Sequence, residues 1–259
     1  MTLKLTLLGT GTSHGVPEIA CQCPVCTSSN PRNKRLRTSA WLHDEKHSIL
    51  IDASADFRQQ ALNHHIRRLD AILLTHAHHD HIGGLDDVRA MNATSGRIPV
   101  YILGSEAERI QRTFYYFFEP LEQRGGGVPD IELLQIPAYH PFGVAGITVL
   151  PLLAFHGTLC ILGYRFHNAA YLTDIKTLPD ETVDQLKGID HLVINALRYR
   201  QHSTHMNIDE TLDMIKRIAP KKAYLIHTTH DLDYDKVNAE LPDGVELAYD
   251  GLEIEISPL

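Results

Sequence analysis

Asp70-Ala-Ile-Leu-Leu-Thr-His76-Ala-His78-His79-Asp80-His81-Ile-Gly83-Gly84 is the stretch from which the rest of this chain is best read. Ala71 to Thr75 is short, apolar and rich in branched residues, which suits a buried strand, and Gly83-Gly84 ends the run. The histidines therefore fall at a strand's carboxyl end. Side chains two apart on an extended segment project to the same side, so His76 and His78 reach one metal ion together, while Asp80 and His81 lie on the turn beyond and face a second. Imidazole nitrogen with carboxylate oxygen suits zinc, manganese or iron, and an ion held by protein on only part of its shell keeps a position for water. That is the equipment of a hydrolase. With 17 histidines in the chain, the plain alternative is a solvated loop; the aspartate and the strand-then-glycine context argue against it.

At 259 residues, 43% hydrophobic and 22% charged, the chain has ordinary globular composition and enough apolar residues for a substantial core. Its apolar stretches fall far short of the roughly 20 residues that cross a bilayer, and no signal-like leader precedes Leu5, so the expectation is a cytoplasmic protein with no membrane partner. The net charge of −8 argues against a broad nucleic-acid surface, which demands clustered Lys and Arg. The one dense basic run, Pro31-Arg-Asn-Lys-Arg-Leu-Arg37, reads as a solvated connection or the neighbour of a small anion.

Leu3 to Leu8 reads as a first strand ended by Gly9-Thr-Gly11, whose glycines lack dinucleotide-fingerprint spacing. Cys21, Cys23 and Cys26 place three thiols within six residues, fitting a structural zinc that takes a fourth ligand, expected to be histidine, from elsewhere; a redox Cys23–Cys26 pair is the rival. Cys160, alone in an apolar run, reads as packing. Thr38–Leu42 and Ser48–Asp52 form a hairpin pair turning at Asp44–His47, and Asp52 closes its strand, either orienting a histidine ligand or capping a helix over 55–64. Gly84–Ala93 and Ser105 to about Phe117 read as helices flanking a strand at Ile98–Ile102. The segment 114–129, aromatic and then glycine-rich, offers a lid, a homodimer contact or, the favoured reading, core packing. Asp174 ends another apolar strand, where its two oxygens suit bridging two cations. Asn207 with Glu210 opens a helix with a capping box, and Lys222–Ile226 is the last long strand.

H-x-H-x-D-H, read with this order of strands, resembles the signature of the metallo-β-lactamase superfamily, and nearly the whole chain resembles its PhnP-like cyclic phosphodiesterases. The resemblance implies an α/β fold, a four-layered αββα sandwich, as one domain over 1–259. It implies a binuclear site of His76, His78, Asp80, His81, His156, Asp174 and His227, with His156 preferred over His140. It also implies a zinc knuckle of Cys21, Cys23, Cys26 and His230, and a proton-donating His205 that is catalytic together with Asp80. The expected cofactors are two divalent ions, manganese or zinc, plus one structural zinc. The expected substrate is a small cyclic phosphodiester such as a ribose 1,2-cyclic or 2′,3′-cyclic phosphate. The rivals are an RNA-cutting enzyme like tRNase Z, a hydrolase of thioesters or lactams, and a PqqB-like cofactor-biosynthesis or carrier protein. His79 is read as a bystander.

Overall fold

Along most strands, odd and even apolar residues enter different cores, and this alternation builds layers. In the computed structural model, which describes residues 2–119 and 127–257, β1 (Leu3–Gly9), β2 (Ser39–His43) and β3 (Ser48–Ile51) run antiparallel. They are followed by α1 (Phe57–Asn63), β4 (Ala71–Leu73), α2 (His79–Ile82), α3 (Asn92–Ser95), β5 (Ile98–Leu103), α4 (Gly104–Thr113) and β6 (Ile131–Ile136). The second half holds β7 (Phe142–Val144), β8 (Ile147–His156), β9 (Leu159–Phe166), β10 (Ala169–Leu172), α5 (Asp180–Leu186), β11 (His191–Asn195), α6 (Ile208–Ile218), β12 (Lys222–Ile226), α7 (Tyr234–Glu240) and β13 (Val245–Leu247). The closing strand β14 (Glu253–Ile256) returns to pair with β1.

Two seven-stranded sheets result, in the orders β14-β1-β2-β3-β4-β5-β6 and β13-β12-β11-β10-β9-β8-β7. Leu5, Leu7, Ile49, Ile51, Tyr164, Tyr171, Val193 and Ile226 fill the space between them. On the outside of the first sheet, Leu50, Ile72 and Val100 pack against Phe57 and Ala61 of α1 and Ile110 of α4. Outside the second, Leu192, Ile194 and Leu225 pack against Val183 of α5, Ile215 and Ile218 of α6 and Val237 of α7. This is the four-layered αββα sandwich. In each half an antiparallel run gives way to parallel strands joined through helices: β3 to β6, and β10 to β13. Parallel strands end on a common edge, and loops leaving that edge form the crevice where such sheets bind ligands. The edges are fastened together where Leu162 N–H donates to the Thr75 carbonyl at 2.9 Å and Tyr164 O–H to that of Leu74 at 2.5 Å.

Several elements differ in detail from the sequence reading. The expected helix over 84–93 is a 3-10 helix at Leu85–Met91 running into α3, because the buried residues Leu85, Val88 and Met91 repeat every three positions, the period of a 3-10 turn. The helix expected to reach Phe117 stops at Thr113 and continues as a 3-10 turn over Tyr115–Phe117. Phe142–Val144 pairs with Ile147–Val149 as an edge strand. In the aromatic segment Phe114 and Phe117 are core residues while Tyr115 and Phe118 are exposed; residues 120–126 of that segment lie outside the described residues. The Asn207–Glu210 capping box is present, each side chain taking the other's backbone N–H at 3.0 Å. Among the described residues no helix is long and apolar enough to cross a membrane.

Candidate metal centre

The sandwich brings the carboxyl-end loops of both sheets to one place. His76 and His78 leave β4, and His156 ends β8 in the other sheet; their ligating nitrogens form one cluster. Asp80 and His81 of α2 meet Asp174, beyond β10, and His227, beyond β12, in a second. Asp52, Asp174 and His227 all stand at positive φ (60°, 60° and 54°) just past their strands. Left-handed backbone at non-glycine residues is uncommon and costly, and here it turns three side chains into the crevice. Gly84 has a complementary role: a Cβ there would lie 2.2 Å from the Ser54 carbonyl oxygen, so only glycine lets the motif loop close on the loop carrying Asp52.

Hydrogen bonds fix which nitrogen each ring presents. His76 Nδ1 lies 3.0 Å from Thr75 Oγ1, whose hydroxyl reaches Asp52 Oδ2 at 2.9 Å. His81 Nδ1 donates to Asp52 Oδ2 at 2.8 Å, and His156 Nδ1 to the Thr204 carbonyl at 2.9 Å. Each ring therefore keeps a proton on Nδ1 and turns Nε2, the atom left for a metal, inward, the arrangement that metal-binding histidines require. His78 instead offers Nδ1, 2.9 Å from His76 Nε2. In the second cluster Asp174 Oδ1 stands 3.4 Å from His81 Nε2 and 3.2 Å from His227 Nε2, with Asp80 Oδ2 3.3 and 3.7 Å from the same nitrogens.

Asp52 and Asp174, both buried, with Asp80 beside them, make a centre that suits a cation. Burial works to raise the Asp174 carboxyl, yet His227 and His81 overcome it and hold it well below the usual range. Burial likewise opposes Asp80, whose carboxyl is nevertheless held low by His81 and His227. His81 is pushed well above its ordinary value in spite of burial, because Asp174, Asp52 and Asp80 surround it. Burial pushes Asp52 up against the pull of His81 and Thr75. His81 Nε2 and both ring nitrogens of His227 are buried without a hydrogen-bond partner, and an orphaned buried nitrogen is costly unless something binds it. The donor set, nitrogen and carboxylate oxygen, fits divalent zinc or manganese.

His205 sits over this centre, its Nε2 3.2 Å from Asp174 Oδ2. Burial pushes its ring down to about 4 against the opposing pull of Asp174, so it does not titrate near neutrality as an exposed histidine would. It lines a cleft of about 310 Å³ together with Thr12–Gly15, Arg198, Arg200, His202 and Thr229. Arg200 is 3.5 Å from Asp231, while Arg198 has its Nε buried with no hydrogen-bond partner.

Beside His230, which also lines the cleft, Cys21, Cys23 and Cys26 surround its Nδ1 at 3.2, 3.7 and 3.4 Å. Tetrahedral zinc with bonds of about 2.3 Å to sulfur and about 2.0 Å to nitrogen sets that separation near ~3.5 Å. Glu18 Oε2 lies 3.2 Å from His230 Nε2 and holds a proton there, leaving Nδ1 bare toward the thiols. All four cysteines are free. Burial pushes the Cys26 thiol up to about 11, whereas the Cys26 backbone N–H helps draw the Cys23 thiol down.

The expected residues thus come together, and His140 and His79 are exposed and outside every cluster. Sequence reasoning missed the supports. Glu106, buried in α4, accepts the Ala77 N–H at 3.1 Å; in sequence it is one more acid in a helix's first turn. Asn195 brackets Ile175, accepting its N–H at 2.6 Å and donating to its carbonyl at 3.1 Å, which fixes the loop of Asp174. Thr204 serves His156 and His205, and only its place beside His205 hinted at that.

A family model described as a beta-lactamase superfamily domain matches residues 47–228. The crystal structure of a new diphosphatase from the PhnP family superposes with a TM-score of 0.91 at 39% identity, covering 99% of this chain and 98% of that one. Zinc-bound PqqB from Methylobacterium extorquens shares the fold at 17% identity, with a TM-score of 0.76 over 98% of this chain and 100% of its own. An octanoyltransferase of Porphyromonas gingivalis is 42% identical over 97% of this chain but only 51% of its own length, so the chain spans about half of that relative. The matched range contains both metal-type clusters of the crevice and leaves out the cysteine knuckle; on that match the chain belongs to the metallo-β-lactamase superfamily.

Proposed function

We propose that the chain is a metal-dependent hydrolase, and specifically a phosphodiesterase for small cyclic phosphodiesters of the ribose 1,2-cyclic or 2′,3′-cyclic kind. The observation that carries this reading is the place of His205: its Nε2 is 3.2 Å from Asp174 Oδ2, and the residue lines a small cleft together with Arg198 and Arg200. A cleft of about 310 Å³ suits a small molecule better than a folded RNA. A cleft arginine whose Nε has no hydrogen-bond partner favours an anionic one. The likeness to a PhnP-family diphosphatase supports hydrolysis at phosphorus.

His76, His78 and His156 would hold one divalent ion, and Asp80, His81, Asp174 and His227 a second, manganese or zinc, with structural zinc in the knuckle of Cys21, Cys23, Cys26 and His230. When bound, such ions polarise a phosphoryl oxygen and make water acidic enough to act as a nucleophile at neutral pH. The protein's own groups do the rest. Asp52, Thr75 and the Thr204 carbonyl keep three imidazoles turned inward. Asp80 and Asp174 are negative across the working pH range. Arg198 attracts and orients the phosphate, and His205 hands the proton on Nε2 to the departing alkoxide. Burial alone disfavours a charged His205; the carboxylate of Asp174 and the arriving phosphate anion both favour it.

A second reading, that the bond cleaved is a diphosphate, is favoured by the diphosphatase relative. The deciding experiment compares a ribose 2′,3′-cyclic phosphate, a nitrophenyl phosphodiester, a dinucleoside diphosphate, a thioester and a lactam in protein loaded with zinc or manganese. Cyclic diester turnover is expected to lead. His205→Ala should slow it by about 10²- to 10⁴-fold while largely sparing the nitrophenyl diester, whose leaving group needs no proton. Failure of both diesters with either metal overturns the phosphodiesterase reading.

A further inference from the structure

We propose that Thr204 is the positioning residue for His205: its hydroxyl accepts the Nδ1 proton of that ring and keeps Nε2 aimed at the metal centre. The inference rests on the reading of His205 as proton donor.

Donor and acceptor accounting around the ring leads to this assignment. Asp174 Oδ2, 3.2 Å from His205 Nε2, only accepts, so Nε2 carries the proton that is handed on. Thr204 Oγ1 lies 3.0 Å from His205 Nδ1 and 3.2 Å from His202 Nδ1. His202 Nδ1 also faces the Thr204 backbone N–H at 3.3 Å, a group that only donates, so that nitrogen is bare. In the acid form the His205 Nδ1 proton goes to Thr204 Oγ1, the shorter contact, with the bare His202 Nδ1 a second acceptor at 3.2 Å, and the Thr204 hydroxyl proton turns to His202 Nδ1. When Nε2 releases its proton to the leaving oxygen, the ring becomes neutral with its proton on Nδ1, where Thr204 already holds it. The ring need not turn, and the proton that travels is the one facing the phosphate.

The same residue holds a second ring by its backbone. The Thr204 carbonyl accepts from His156 Nδ1 at 2.9 Å. One residue therefore anchors two Nδ1 atoms and leaves two Nε2 atoms facing the crevice. Its side chain is seated against Gly157, at φ +62°, where a Cβ would come within 2.9 Å of Thr204 Cγ2. Because the carbonyl serves His156 and the hydroxyl serves His205, a side-chain substitution separates the two tasks.

The test uses Thr204→Val, which keeps the shape and removes the hydroxyl, and Thr204→Ser, which keeps the hydroxyl. Both are compared with wild type and His205→Ala on an alkyl or cyclic phosphodiester and on the nitrophenyl diester. Thr204→Val is expected to slow the alkyl substrate about tenfold, the size of one hydrogen bond, and the nitrophenyl substrate less than about twofold. Thr204→Ser should restore the alkyl rate, and metal content should match wild type in both. In metal-free protein, the ¹⁵N signal of His205 Nδ1 should move in Thr204→Val and return in Thr204→Ser. Equal slowing of both substrates by Thr204→Val, or none, overturns the inference while a split in His205→Ala leaves the proposed function standing. Absence of the split in His205→Ala overturns the acid role and this inference with it.

Discussion

Asp52→Asn changes one atom's chemistry beneath the second metal cluster and leaves the shape intact. Asparagine tolerates the left-handed backbone at φ 60° about as well as aspartate, so the fold itself is not challenged. Asp52 Oδ1 accepts the Thr75 N–H at 2.8 Å, and Oδ2 accepts from Thr75 Oγ1 at 2.9 Å and His81 Nδ1 at 2.8 Å. An amide has one acceptor oxygen. If that oxygen stays on the Thr75 N–H, the amide nitrogen meets the His81 Nδ1 proton, and His81 escapes the clash only by moving its proton to Nε2. That proton then points between Asp80 and Asp174, where it blocks the nitrogen meant for metal. The flipped amide instead sets its N–H₂ against the Thr75 N–H and loses a buried hydrogen bond. Either outcome costs about 1–3 kcal/mol, matching the roughly 10- to 100-fold loss of metal affinity typical when the partner behind a ligand is removed. Calorimetric titration of metal-free protein should show the larger loss in the Asp80–His81–Asp174–His227 cluster, a smaller one in the His76 cluster, which Asp52 reaches only through Thr75 Oγ1, and the knuckle near wild type. Excess metal should recover much of the activity. Wild-type affinity at every site, or an equal loss at all of them, would refute the orientation argument.

Cys23→Ser should lower zinc content by one equivalent and reduce stability, because the knuckle ties residues 21–26 to His230 across most of the chain. A cross-link closing so long a loop is worth on the order of 4 kcal/mol, or roughly 10 °C in Tm, measured by calorimetry with metal analysis; three thiols that react freely in metal-loaded native protein would sink the assignment. Asp80→Ala, Asp174→Ala and His227→Ala should each weaken the second cluster and reduce hydrolysis by at least about 10²-fold, whereas His79→Ala, an exposed neighbour, should keep both metal and most activity. A loss at His79 as large as the other three would mean the motif's geometry has been misread.

Short-range periodicity was enough to place several strands and to turn His76 and His78 the same way, whereas the four-layered sandwich and the full ligand set were reached through resemblance to the metallo-β-lactamase superfamily. Two-residue spacing sends His76 and His78 the same way, and strands apolar on both faces have to be covered on both sides, so β4, β10 and β12 were legible in sequence. Capping of α6 was legible for the same local reason. Three-residue spacing at Leu85, Val88 and Met91 was also in plain view, yet it was read as an α-helix because a 3-10 turn and a short helix look alike in so few residues. What pairs across the crevice was not local. His156 and Asp174 face His76 and His81 only because Leu162 and Tyr164 clamp the second sheet to Leu74 and Thr75 of the first, and no spacing announces that register. The depression of His205 is likewise a property of burial, which a one-dimensional pattern does not carry. Supports such as Glu106, Asn195 and Thr204 act through a single hydrogen bond or two to distant backbone and rings, so their identity in sequence is that of ordinary polar residues until the tertiary structure places an otherwise unsatisfied partner beside them.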